Sequence, residues 1–333
     1  MRFSRKKCLV TGAAGFIGSN MVRRLLDLNA SVVGVDNMLT GRYWRIEDIL
    51  KDFDFIEGDL RDIKTVARIL KRGFDLVFNF AANMGGIGYI TKVGADVMSD
   101  NARINTNLLT ICKYFRPDRI LFTSSACVYP LGKQLDAKVR PLREKDAIPA
   151  DPDTFYGWEK LFSEKLYQSF YEDYGLETRI ARLHNIYGEY GSYDERAKAP
   201  AHLILKAILY PKVPFVIWGD GMQTRSFCYI QDCLDGLLRL ISSNVREPIN
   251  IGSDRLVTIL ELASIIIDIS GKPIEIQLDT SKPEGVRGRN ADLTLARNLL
   301  QWEPKVSLED GLGRTYEWTV KNLDRIDYKL EGL

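Results

Sequence analysis

Histidine is nearly missing from this chain, with only His184 and His202 in 333 residues. Without a Cys/His cluster, no ligand set of zinc-site spacing is present, and no metal is expected. Cysteine is scarce as well. The five thiols (Cys8, Cys112, Cys127, Cys228 and Cys233) are odd in number and form no Cys-x-x-Cys. They read as reduced thiols, not a disulfide framework. No window approaches the ~20 apolar residues of a membrane span. Residues 1–12 hold no apolar segment of signal-peptide length, so a cytoplasmic protein is expected. A large charge of one sign is also lacking. The net charge of +2 gives no reason to expect nucleic acid or a membrane as partner. There is no internal repeat, low-complexity tract or flexible linker.

What remains is an ordinary globular composition, 45% hydrophobic and 27% charged. The length suits one large α/β domain and a smaller companion. In the first half, short apolar runs alternate with amphipathic stretches. Strands are expected at 7–11, 31–36, 54–57, 75–80, 119–123 and 178–182. Helices are expected at 16–27, 62–71, about 96–114 and 156–174. This alternation predicts a doubly wound parallel sheet with helices on both faces. Beyond Asn185 the pattern loosens. Helices are expected at 199–207, 231–242, 259–269 and 308–323, a strand at 215–218, and a Gly/Pro/Arg-rich loop at 282–290. We therefore divide the chain into 1–185, a nucleotide-binding domain, and 186–333, a smaller mixed α/β substrate domain with some chain crossing back. The second is expected to supply one wall of a cleft.

Thr11-Gly-Ala-Ala-Gly-Phe-Ile-Gly18 lies between the first strand and the first helix. Gly12 permits a tight turn, Gly15 lets backbone approach a pyrophosphate, and Gly18 lets the helix pack close to the sheet. Phe16 and Ile17 open the helix, whose N-terminal amides attract phosphate. Asp36 ends the next strand, where a carboxylate accepts from ribose hydroxyls and repels a 2′-phosphate. NAD is therefore preferred over NADP. Asp59 and Leu60, after the third strand, are candidates to meet the adenine ring.

Tyr156 and Lys160 stand four apart on a helix, so both point the same way. A free phenol titrates near ~10, and a neighbouring ammonium favours the phenolate. Such a pair can take the proton of a sugar hydroxyl as hydride leaves carbon, and Ser125 can share the hydrogen bond. Taken singly, the other candidates have plain structural readings. Most cysteines are small buried hydrophobes, and a lysine such as Lys198 is ordinarily a solvated loop residue. Cys112, Cys228 and Cys233 read as packing residues, and His184 as structural.

The chain resembles the extended short-chain dehydrogenase/reductase family, in its nucleotide-sugar epimerase/dehydratase group. The resemblance rests on the glycine loop, Asp59-Leu60, Asn79-Phe-Ala-Ala82, Ser124-Ser125, Tyr156-Gly-Trp-Glu-Lys160 and Arg182-Leu-His-Asn-Ile-Tyr-Gly188. It implies a Rossmann-type fold. Further stretches resemble the branch that epimerises GDP-mannose at C3 and C5. These are Asn83-Met-Gly-Gly-Ile-Gly88, Ser124-Ser-Ala-Cys-Val-Tyr-Pro130, Lys198-Ala-Pro200, Trp218-Gly-Asp-Gly-Met-Gln-Thr-Arg-Ser-Phe227 and Pro283-Glu-Gly-Val-Arg-Gly-Arg-Asn290.

The resemblance implies oxidation of C4 with Tyr156 as base, and then proton exchange at the carbons beside the ketone by Cys127 and Lys198. NADH then returns hydride to C4. It also implies a homodimer, built through helices of the first domain. For a GDP-hexose substrate it places Gly85, Ser125, Asn185, Lys198, Lys206, Gln223, Arg225 and Arg287 at the binding site. Arginine suits a diphosphate because its fork binds two oxygens at once. Trp218 can stack on a base or pack a core. The rival expectations are a C4-epimerase, a 4,6-dehydratase and a non-catalytic NAD-binding protein. A dehydratase should carry Asp-Glu where this chain has Ala126-Cys127.

Overall fold

The structure, a computed structural model, describes residues 2–90, 92–194, 196–282 and 285–328. The first half follows the expected alternation: β1 (Lys7–Thr11), α1 (Phe16–Asp27), β2 (Ser31–Asp36), β3 (Asp54–Glu57), α2 (Ile63–Leu70), β4 (Leu76–Asn79), a short α3 (Ile87–Ile90), α4 (Gly94–Phe115), β5 (Arg119–Ser125), α5 (Phe155–Tyr174) and β6 (Thr178–Leu183). Local chemistry explains the helix starts. The Asp62 carboxylate accepts from the amides of Lys64 and Thr65 and caps α2. Thr154 does the same for α5 through the Gly157 amide. Gly175, in the left-handed region, ends α5.

The second half comprises β7 (Ile186–Tyr187), α6 (Ala199–Leu209), β8 (Phe215–Trp218), β9 (Thr224–Ser226), β10 (Cys228–Tyr229), α7 (Ile230–Ser242), β11 (Ile249–Ile251), β12 (Leu256–Thr258), α8 (Ile259–Ser270), β13 (Ile276–Asp279), β14 (Gly288–Arg289), α9 (Thr294–Leu300) and α10 (Leu308–Lys321).

A seven-stranded sheet in the order β11-β6-β5-β4-β1-β2-β3 organises the molecule. Every neighbouring pair in it is parallel. Such strands are buried on both faces and read as near-continuous apolar runs. Helices α1 and α7 cover one face, and α2, α4 and α5 the other. The order reverses between β1 and β4, so their carboxyl ends open a crevice where ligands bind.

The chain crosses back more deeply than a cut at 185 suggests. Strand β11 pairs with β6 at the sheet edge, and α7 packs on β5 and β6. The expected loop at 282–290 contains β14, which pairs with β9. Two residues bearing a glycine leave no periodic trace, so only tertiary pairing makes them a strand. Pro283 and Glu284 of that segment lie outside the described residues. Among the described residues, no helix is long and apolar enough to cross a membrane.

Candidate active site

Two connected hollows lie at the carboxyl ends of the strands. The smaller, about 200 Å³, runs along the glycine loop past Phe80 and Thr123 to Tyr156 and Lys160. The larger, about 920 Å³, opens between the sheet and the second half. They share Gly85, Ser125, Tyr156, Asn185 and Lys198, so an occupant of one reaches an occupant of the other there.

The glycine-lined wall of the smaller hollow has the features of a dinucleotide-binding loop. Gly12 has φ +66°, and a Cβ there would meet the Ala81 amide at 3.0 Å. A Cβ on Gly18 would sit 2.0 Å from the Gly12 carbonyl oxygen, so only glycine lets α1 start against the loop. Gly15, Phe16 and Ile17 also line the groove. The Asp36 carboxylate accepts from the amides of Ala14 (3.0 Å) and Met38 (2.9 Å). Its burial raises its pKa, and those amides oppose the rise. Asp59 stands beyond β3, held by Arg61 and by Asn37 at 3.4 Å. Leu60 is buried in the core beside it.

Of the five cysteines, four are buried and Cys127 alone is half-buried, on the wall of the large cavity. It lies in a 3-10 turn capped by Ser125, whose hydroxyl accepts from the Cys127 amide at 3.2 Å. Its sulfur accepts a hydrogen bond from Arg289 Nη1 at 3.3 Å. Arg289 is nearly buried. It also donates to Gln134 and approaches Asp153 at 3.7 Å. Lys198 caps α6 on the cavity wall. Its side chain stays solvent-accessible because the cavity lies over it, yet the surrounding walls lower its pKa, with Cys127 opposing that shift.

Burial dominates the Tyr156–Lys160 pair. It pushes the Tyr156 phenol well up, with Ser125 opposing, and it lowers the Lys160 ammonium. Burial thus outweighs the favourable influence expected of the neighbouring ammonium on the Tyr156 phenol. Lys160 Nζ lies 5.6 Å from the Tyr156 ring centroid and 4.0 Å from the buried Glu159 carboxylate. Glu159 is fixed in turn by Asn101, Asn105 and Ser163.

The other expected residues divide. Gly85, Asn185, Gln223 and Arg225 line the large cavity. Asn185 adopts φ +44° and donates to the Ser226 carbonyl. Two basic residues do not line it. Lys206 is buried, and its Nζ donates to the Val216 carbonyl at 2.7 Å. Arg287 forms a two-pronged pair with Asp220, both contacts at 2.8 Å. His184 is fully buried against Asn250 at 2.9 Å, away from both hollows. Trp218 does reach the cavity.

Sequence reasoning passed over Arg289 and Gly157. Arg289 belongs to Gly-Arg-Asn290, but nothing local separates it from Arg287. Gly157 is the second residue of the Tyr-Gly-Trp-Glu-Lys motif. A Cβ there would lie 2.2 Å from the Cys127 carbonyl oxygen. Its bare backbone thus brings Tyr156 alongside the Cys127 turn.

The profile of the NAD dependent epimerase/dehydratase family matches residues 8–252. The chain is 41% identical over 319 residues to a GDP-mannose 3,5-epimerase 1 from Oryza sativa subsp. japonica, covering 95% of this chain and 82% of that one. Its fold is similar to the UDP-glucose 4-epimerase of Thermotoga maritima solved with UDP-glucose (TM-score 0.88, 29% identity, 95% and 99% of the two chains). It is also similar to the UDP-glucuronic acid 4-epimerase of Bacillus cereus solved with UDP-glucuronic acid and NAD (TM-score 0.83, 30% identity, 95% and 99%).

Proposed function

Because this chain belongs to the NAD-dependent epimerase/dehydratase family, we propose that it epimerises GDP-mannose at C3 and C5 through a ketone at C4. NAD supplies the hydride acceptor, and its oxidised ring brings positive charge to the groove that Tyr156 and Lys160 line. Tyr156 takes the C4 hydroxyl proton as hydride leaves that carbon, and Lys160 and Ser125 stabilise the phenolate. The hydrogens on C3 and C5 are then acidic, each being α to the carbonyl. Cys127 and Lys198 act as the acid/base pair, one removing a proton and the other returning one from the opposite face. Return of hydride to C4 and of the Tyr156 proton to oxygen completes the cycle, with no net redox change.

One observation carries this reading. A cysteine with a fixed arginine donor lines the same cavity as Tyr156 and as a lysine whose ammonium is depressed. Thiol and amine side chains can both serve as general acid or base. A simple C4-epimerase needs neither group, and a 4,6-dehydratase needs carboxylates where Ala126 and Cys127 stand. The decisive experiment is turnover of GDP-mannose in D₂O. Deuterium is expected at C3 or C5 of recovered sugar, and Cys127→Ala should abolish that label while NAD stays bound. Label absent from both carbons with wild-type enzyme refutes the reading.

We place the enzyme in the cytoplasm, where five free thiols stay reduced. The homodimer is proposed to form through α4 and α5. Phe155, Trp158 and Phe162 expose 65%, 42% and 50% of their surface along α5, a stripe that needs a cover.

A further inference from the structure

Helix α6 carries a titratable cavity residue besides its cap. The His202 amide donates to the Lys198 carbonyl at 3.0 Å, so His202 stands one turn beyond Lys198. Residues four apart share a helix face, and both line the large cavity. One turn displaces His202 along the helix by about 6 Å. Lys198 is at the reacting end, with Cys127 and Tyr156. His202 stands one turn further along α6, against Trp218, where the rings meet edge to face at 6.2 Å and 89°.

Among the described residues, neither ring nitrogen of His202 has a hydrogen bond. Gln223, which also lines the cavity, is 5% exposed and donates Nε2 to the Trp218 carbonyl at 2.9 Å. That bond fixes the amide's orientation and leaves Oε1 buried without a donor. The next basic residue, Lys206, does not compete, because its ammonium is spent on Val216.

We propose that His202 hydrogen-bonds the nucleoside diphosphate half of the substrate and helps select which nucleotide is accepted. This rests on the nucleotide-sugar reading above and deepens it. Burial, with Lys206 adding to it, lowers the His202 pKa to about 4. The ring is thus neutral at pH 7, with one N–H and one lone pair. Such a ring can serve a ribose hydroxyl, a phosphate oxygen or a base edge, and Trp218 flanks it as an apolar surface.

The test uses the NAD-loaded full chain labelled with ¹⁵N-histidine. With only two histidines and one of them sealed in the core, the ring signals of His202 are read without ambiguity. Adding GDP should move the His202 ring nitrogens and leave those of His184 in place. His202→Ala should weaken GDP binding by roughly tenfold, the worth of one hydrogen bond to a desolvated partner, and His202→Gln should recover most of it. GDP binding with unmoved His202 signals, or with an unchanged Kd in His202→Ala, overturns the proposal. If UDP binds in place of GDP and moves His202, the contact stands and the choice of GDP-mannose falls. If neither nucleotide binds, the nucleotide-sugar reading falls and this proposal falls with it. The wild-type spectra decide the question even if a variant fails to fold.

Discussion

Gly157→Ala is the sharpest test of how this site is assembled. The added methyl would lie 2.2 Å from the Cys127 carbonyl oxygen and 2.8 Å from Pro152 Cβ. Neither neighbour is the loose end of a flexible side chain. Ordinary contact requires α5 and the Cys127 turn to part by about 1 Å. Tyr156 moves with the helix and Cys127 with the turn, so the phenol and the thiol lose their common register. A misplacement of this size costs about 100-fold in rate, or about 3 kcal/mol of transition-state stabilisation. Stability should change much less. Crowding costs about 1–3 kcal/mol, while alanine in place of glycine inside a helix returns about 1 kcal/mol. The assay pairs kcat on GDP-mannose and deuterium incorporation with a thermal melt and NAD titration. A folded, NAD-binding variant with kcat near 1% of wild type is expected. A kcat within threefold of wild type at unchanged stability would show that the contact with the Cys127 turn does not set the alignment.

The other consequences concern pH and assembly. His184 is held neutral down to about pH 3, well below its ordinary 6.5, because burial disfavours its charge. The unfolded chain takes up this proton below about pH 6.5 and the folded chain does not. Stability should therefore fall as pH drops through that window and level off near pH 3, with about 2 kcal/mol lost by pH 5 from this group. Urea unfolding at pH 7 and pH 5 should show a smaller acid loss in His184→Gln than in wild type, and equal losses would remove His184 as a source. Trp158→Glu should turn a two-chain particle into single chains in sedimentation, since a charge on the exposed α5 stripe cannot be buried without a partner. Dimers persisting at micromolar concentration would move the interface elsewhere.

Local chemistry in the chain determined the NAD-binding half almost residue by residue. β1, α1, β2 and β3 fall where the apolar runs and the glycine loop predict, because each is specified by its own periodicity and turn residues. The Tyr156–Lys160 pair was legible for the same reason, since four residues on a helix set a direction. The second half was less legible. Strands of two or three residues such as β7, β10 and β14 have no period to detect and exist only through pairing. Which basic residue faces the cavity was likewise decided in three dimensions. Arg287 and Arg289 are two apart in one glycine-rich segment. One is taken by Asp220, and the other is turned onto the Cys127 sulfur. Lys206, one turn from the cavity-lining His202, is drawn to a backbone carbonyl instead. The direction of the Tyr156 shift belongs to the same class. An adjacent ammonium is visible in the sequence, but the desolvation that outweighs it depends on every residue packed around the phenol.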